Sequence, residues 1–147
     1  MKFEDQANSL FKARFNCAQS TFGAFAEHLG LDLKAAIKIA TPFGGGMGRN
    51  GHLCGAVSGA IMALGLAEGV SEYDKEKETA CYDLVRQFIN RFSAQHGSLT
   101  CPGLLGVDIG DPEALQQARD QDLFHTLCPH FVNDATRIAA ELLGLEP

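Results

Sequence analysis

Cys54, Cys101 and Cys128 each stand where the sequence predicts a helix to start, and Cys17 lies far from all three along the chain. That placement favours thiolate chemistry. The first turn of a helix presents amide donors without intrahelical partners and about half a positive charge, so a cysteine there ionises below the free value of about 8.5. Thiolates attack electrophiles, oxidise and bind metals. No Cys-x-x-Cys occurs in the sequence. Zinc ribbons, thioredoxin motifs and ferredoxin ligand runs therefore lack their local signature, and any shared site has to be assembled by the fold.

Cys54 lies in the run His52-Leu53-Cys54-Gly55-Ala56-Val57-Ser58-Gly59. Gly55 leaves the approach to its sulfur open, while Arg49 and the helix dipole both favour the ionised form. Cys54 is the candidate attacking thiol. Cys101 precedes Pro102 and Cys128 precedes Pro129; proline is favoured at the first helical position, which makes each cysteine an N-cap or its near neighbour. Either is a candidate resolving thiol. The competing explanation for all of them is plain burial, because free cysteine packs as a small apolar residue. That explanation weighs most on Cys17, which the periodicity puts in the middle of a helix. Cys81 joins Leu84, Val85 and Phe88 on one helical stripe and is assigned to the core.

His52, two residues from Cys54, is the histidine best placed as a proton acceptor or ligand. The loop before it carries Gly44, Gly45, Gly46, Gly48 and Arg49. Its amides could hold an anion, or its glycines could let the backbone fold tightly against the cysteines. The run Gly46-x-Gly48-x-x-Gly51 matches a dinucleotide fingerprint in form, but it follows a helix and lacks the βαβ surroundings that give the fingerprint meaning.

The elements that must position these residues read as helices. Apolar residues at Phe3, Ala7, Phe11, Phe15, Ala18, Phe22, Phe25 and Leu29 predict a first helix from Phe3 to about Leu29, ended by Gly30. Leu33 to about Ala40 follows, with Asp32 as its cap. The next helix, about His52 to Leu66, carries Gly51, Gly55, Gly59 and Ala63 at four-residue intervals, a smooth ridge against which another backbone can pack closely. It reads as the central helix. Ser71-Glu72-Tyr73-Asp74 resembles a capping box opening a helix to about His96. A short helix starts at Asp111-Pro112-Glu113, and a last one runs from Pro129 to about Leu143. No segment alternates with period two, so the expected fold is all-α: a compact single-domain bundle of about five to six helices spanning residues 1–147, with the glycine-rich loop before the central helix.

The 147 residues suffice for one core. A net charge of -6 with no Lys/Arg run argues against nucleic acid as a partner. Leu53 to Ala67 is the longest uncharged apolar stretch and is too short for the roughly 20 residues of a membrane span. The first ten residues do not read as a secretory signal. A cytoplasmic protein without a membrane segment is expected, and its five cysteines are unlike a static disulfide scaffold.

With these residues laid out, the chain resembles the bacterial and archaeal family labelled by its cysteine pattern, C_GCAxxG_C_C, whose members are described as redox-active. The resemblance rests on Asn16-Cys17-Ala18-Gln19-Ser20, on Phe43-Gly44-Gly45-Gly46-Met47-Gly48 leading to Cys54-Gly55-Ala56-Val57-Ser58-Gly59-Ala60, on Cys101 before Leu104-Leu105-Gly106, and on Cys128 before the last helix. It departs from the label in that Leu53 precedes Cys54 and glycine follows it. The resemblance implies that Cys17, Cys54, Cys101 and Cys128 form the functional set and leaves Cys81 outside it.

The leading expectation is a thiol protein in which these four cysteines converge on a pocket beside the glycine loop and exchange electrons through disulfide formation, with a redox partner protein or a small-molecule electron donor. The alternative from a different class is a zinc or iron-sulfur site with the same four cysteines as ligands, which expects four sulfurs around one point. A third reading is a helical module that binds a small molecule or a protein and whose cysteines only pack. Dimerisation would use the glycine ridge or the Phe11 to Phe25 stripe.

Overall fold

The structure is a computed structural model and describes residues 2–147. Among these residues there is no β-strand, and the α-helical segments run in the order α1 (Phe3–Lys12), α2 (Cys17–Ala26), α3 (Leu33–Ala40), α4 (Gly44–Met47), α5 (Gly55–Glu68), α6 (Lys75–His96), α7 (Cys101–Leu105), α8 (Pro112–Asp120), α9 (Leu123–Thr126) and α10 (Cys128–Leu142). Eight of them are five residues or longer, against the five to six expected. The surplus has two sources. The predicted first helix is two helices, and the Gly/Pro-rich stretch beyond Gly97 folds into short helical pieces.

The break between α1 and α2 was hidden because its stop residue is not glycine. Arg14 takes the left-handed conformation at φ 77, and the amides of Arg14 and Phe15 return to the carbonyls of Phe11 and Leu10 at 3.1 and 3.2 Å. This is a Schellman ending with arginine where glycine is usual. Asn16 then opens α2 through a capping box: its side chain accepts from the Gln19 amide at 2.9 Å while the Gln19 side chain accepts from the Asn16 amide at 2.9 Å. Cys17 is therefore the first residue of a helix and not a mid-helix residue. Similarly, α6 starts at Lys75 with Asp74 as its cap, accepting from the Lys77 amide at 3.1 Å, and not at Ser71.

The central position falls to two helices packed face to face. Every residue of α2 from Ala18 to Ala26 is buried, and so is the α5 surface from Gly55 to Ala60. The glycine ridge explains their closeness: a Cβ on Gly55 would stand 2.8 Å from the Ala18 amide nitrogen, and one on Gly59 would stand 2.8 Å from the Ala18 carbonyl oxygen. Both distances are shorter than atoms tolerate, so only glycine lets the two backbones touch. Around this pair α1, α6 and α10 close the core with Phe25, Phe88 and Phe92 fully buried, each contributing about 1.5–3 kcal/mol of apolar transfer. Phe3 of α1 stacks on Phe25 of α2 at 4.8 Å.

This contact yields a test with opposite signs on one helix. Gly59→Ala gains about 1 kcal/mol of helix propensity but forces the α2 backbone away at a cost of about 1–3 kcal/mol, so denaturant unfolding should show a net loss. Gly65→Ala, on the same helix with nothing within 4 Å of the added carbon, should stabilise by up to about 1 kcal/mol. Equal effects at the two positions would sink the close-contact account.

Candidate functional site

All four motif cysteines stand at helix starts. Cys17 is the first residue of α2, Cys54 is the N-cap of α5, Cys101 is the first residue of α7 and Cys128 is the first residue of α10. Each start is held by a different device. Asn16, besides capping α2, donates from its amide nitrogen to the Thr41 carbonyl at 3.1 Å, and the Gln19 side chain donates to the Ile37 carbonyl and to the Thr41 hydroxyl. Cys17 is thereby tied to the end of α3, beside the glycine loop. Thr100 caps α7 by accepting from the Gly103 amide at 3.2 Å, and Pro102 and Pro129 occupy the first turns of α7 and α10.

Cys54 and Cys101 are brought together by an isolated antiparallel bridge between Leu53 and Thr100. The Cys54 amide donates to the Leu99 carbonyl at 2.8 Å and the Cys101 amide donates to the His52 carbonyl at 3.0 Å. Side chains alternate across extended backbone, so residues flanking one bridged pair share a face, and both sulfurs project to the same side.

The two thiols then divide the proton unequally. A hydrogen bond from Cys101 pulls the Cys54 thiol below its ordinary range; burial opposes this, and the Ala56 and Val57 amides at the start of α5 assist it. Cys101 is pushed well up by the same hydrogen bond, by burial and by the charge of Cys54 and then Cys128, with the Gly55 amide pulling weakly the other way. Cys17 forms the second pair. Its hydrogen bond to Cys128 favours the protonated form, and burial and the charges of Cys128, Cys54 and Cys101 raise it further. Four sulfurs that influence one another in this way occupy one neighbourhood, as two pairs.

None of the five cysteines is disulfide-bonded. Among the described residues, no group of three or more His, Cys, Asp or Glu side chains stands in positions that would hold a metal ion. Cys81 lies on α6, half-buried and outside the site.

The four cysteines open onto one cavity of about 1230 Å³. Gly44, Gly45, Gly48 and Arg49 also line it; Gly46 and His52 do not. Gly46 is buried and its carbonyl accepts from the His52 amide at 2.9 Å. The His52 ring is exposed, and it is the His52 backbone that serves the site, through Gly46 on one side and Cys101 on the other. Sequence reasoning missed Lys12, Arg14, Phe11, Arg119, Phe124 and His125 as part of the wall. Lys12 and Arg14 were concealed by the unseen break after α1. Arg119, Phe124 and His125 arrive on α8 and α9, whose placement over the cavity no local spacing encodes.

No helix among the described residues is long and apolar enough to cross a membrane. No solved structure matches the chain. An uncharacterised protein of Archaeoglobus fulgidus is 46% identical over 52 residues, a match that covers 35% of this chain and 34% of the relative's own length. A family profile described as "Putative redox-active protein (C_GCAxxG_C_C)" matches residues 15–142, a span that contains all four helix-start cysteines, the glycine loop and the close contact between α2 and α5. The chain belongs to the C_GCAxxG_C_C family.

Proposed function

We propose that this protein is a thiol-disulfide oxidoreductase in which Cys54 is the attacking thiolate, Cys101 resolves it, and Cys17 with Cys128 forms a second dithiol that recharges the first. The single observation that supports this most is the pairing itself: four cysteines from four helix starts, joined two by two, on the wall of one cavity. A lone low-pKa cysteine would support only a nucleophile. A hydrogen-bonded neighbour supplies what disulfide exchange needs, a second sulfur within reach of the first.

The reaction balances over one substrate disulfide. The Cys54 thiolate attacks one sulfur of R–S–S–R, forming a Cys54–S–S–R bond and expelling RS⁻, which takes a proton from solvent. Cys101 gives up its proton and attacks the Cys54 sulfur, forming the Cys54–Cys101 disulfide and releasing the second half of the substrate as RSH. Two electrons pass from protein to substrate. Exchange with the Cys17–Cys128 dithiol returns the first pair to its reduced form and leaves the second as a disulfide, which an external thiol, on a partner protein or a small molecule, reduces in turn.

The Cys101 hydrogen bond should be visible in the pH dependence of alkylation. A depressed pKa means that the thiolate fraction of Cys54 is reached at lower pH, so its iodoacetamide rate should reach half-maximum below about 8.5, while Cys101 and Cys17, raised by their partners, stay unmodified beyond it. Cys101→Ala removes the donor and should move the Cys54 half-maximum upward, read by peptide mass mapping. A Cys54 profile indistinguishable from a free thiol would refute the assignment.

Trapping separates the roles. With a small disulfide in excess and no reductant, the native protein should lose four thiols and yield Cys54–Cys101 and Cys17–Cys128 cross-linked peptides, whereas the Cys17→Ser/Cys128→Ser double variant should lose two and yield the Cys54–Cys101 peptide alone. Cys101→Ser should stop at a mixed disulfide on Cys54, and Cys54→Ser should react at least about tenfold more slowly, while Cys81→Ser behaves as the native chain. A cross-link that maps to Cys81, or full reactivity in Cys54→Ser, would contradict the scheme.

A further inference from the structure

The wall of the cysteine cavity has a charge that the chain as a whole does not. The protein carries 18 acidic residues against 12 Lys and Arg and a net charge of -6, yet Lys12, Arg14, Arg49 and Arg119 all line the cavity and no Asp or Glu does. One third of the basic side chains thus surround the reacting sulfurs in an acidic protein. The arginines that are neutralised lie elsewhere: Arg86 pairs with Asp83, Arg91 with Glu141, and Arg137 with Asp134, Glu141 and Glu4. Among the described residues, the four cavity cations take part in no such ion pair. Asp122, which bonds the rim residue His125 at 2.6 Å, does not itself line the cavity.

Two of these cations are held at a backbone cost. Arg14 and Arg49 both adopt left-handed backbone, at φ 77 and φ 64, a conformation that disfavours any residue with a side chain. In each case the strained residue projects from a turn at the cavity edge, one at the end of α1 and one after the glycine loop. Phe11, Leu104, Ile109 and Phe124 give the wall an apolar part, beside the polar Asn16, Thr41 and His125. A cavity with a partly apolar lining, four cations outside the ion pairs of the described residues and a sulfur cluster fits a ligand that has a short apolar body, negative groups and a sulfur.

Resting on the thiol-disulfide reading above, we infer that the substrate class is a small organic disulfide, with its thiol product, that carries carboxylate, sulfonate or phosphate groups, and that Arg49 and Arg119 select it by charge. The anionic groups meet the cations while the sulfur–sulfur bond reaches Cys54. A cleft lined by one sign of charge raises the local concentration and arrival rate of the opposite charge by roughly tenfold or more, and salt weakens that advantage.

The test uses three small disulfides of similar length with the reduced full-length protein: 3,3′-dithiodipropionate, which is dianionic, bis(2-hydroxyethyl) disulfide, which is neutral, and cystamine, which is dicationic. Each rate is divided by the rate of the same disulfide with 2-mercaptoethanol, to remove intrinsic reactivity. Suberate, the dicarboxylate of matching length without sulfur, is tested separately for protection of Cys54 against iodoacetamide. The expected result is a normalised rate at least about tenfold higher for the dianion than for cystamine, reduced several-fold by high salt and by the Arg49→Gln/Arg119→Gln double variant, together with suberate protection. Normalised rates that ignore charge, with no suberate protection, would overturn the inference and leave thiol exchange standing. Suberate protection with no reaction of any disulfide would overturn the thiol-exchange reading while retaining the anion site. Because both arginines are exposed, the double variant should keep its fold, and unchanged denaturant unfolding of that variant verifies it.

Discussion

The contact on which the site depends is backbone against backbone. Gly55 and Gly59 of α5 rest on Ala18 of α2, and a Cβ on Gly55 would also stand 3.2 Å from the Cys17 Cβ. A side chain at Gly55 would force apart the two helix starts that carry Cys17 and Cys54. Close packing of two polypeptide backbones is rarely tolerated in helices because it costs glycine's extra conformational entropy in a helix interior, about 0.5–1 kcal/mol per residue. Here that cost is offset by the burial of α2 along nearly its whole length.

The chemistry of the sulfurs follows from their proximity in a poorly solvated place. A buried thiolate is costly unless donors face it. Cys54 has the Cys101 thiol and the amides at the start of α5. Cys101 holds its proton through its hydrogen bond to Cys54 and its burial, and Cys17 through its hydrogen bond to Cys128 and its burial, with the charges of the neighbouring sulfurs adding to both. The same contacts that lower one thiol therefore raise two of its neighbours, a difference set by surroundings and not by residue type.

The surroundings add a second layer. Extended backbone at the Leu53–Thr100 bridge aligns Cys54 with Cys101, and the Asn16–Gln19 box lashes Cys17 to the loop after α3. These are polar, local devices at the ends of helices, where unpaired backbone groups need partners in any case. Their cost is small, and they fix sulfur positions that apolar packing alone would leave free to slide.

Much of this was legible in the residues. Helical periodicity with no period-two alternation determined an all-α chain, the glycine spacing from Gly51 to Ala63 announced a close backbone contact, and Pro102 and Pro129 marked two helix starts. The break before Cys17 was written too, in the Asn16-x-x-Gln19 box, but the continuous phenylalanine stripe outweighed it and Arg14 gave no sign of a stop. By itself the sequence determined which residue types recur at which spacing, and so the all-α class, the longer helices and the helix starts at Cys54, Cys101 and Cys128, because those follow from interactions within a few residues. Only the tertiary structure decided that Cys54 meets Cys101, that Cys17 meets Cys128, and that Arg119 on α8 shares a cavity with Arg49. Those meetings join segments tens of residues apart, and their geometry arises from how whole helices pack, which no local pattern carries.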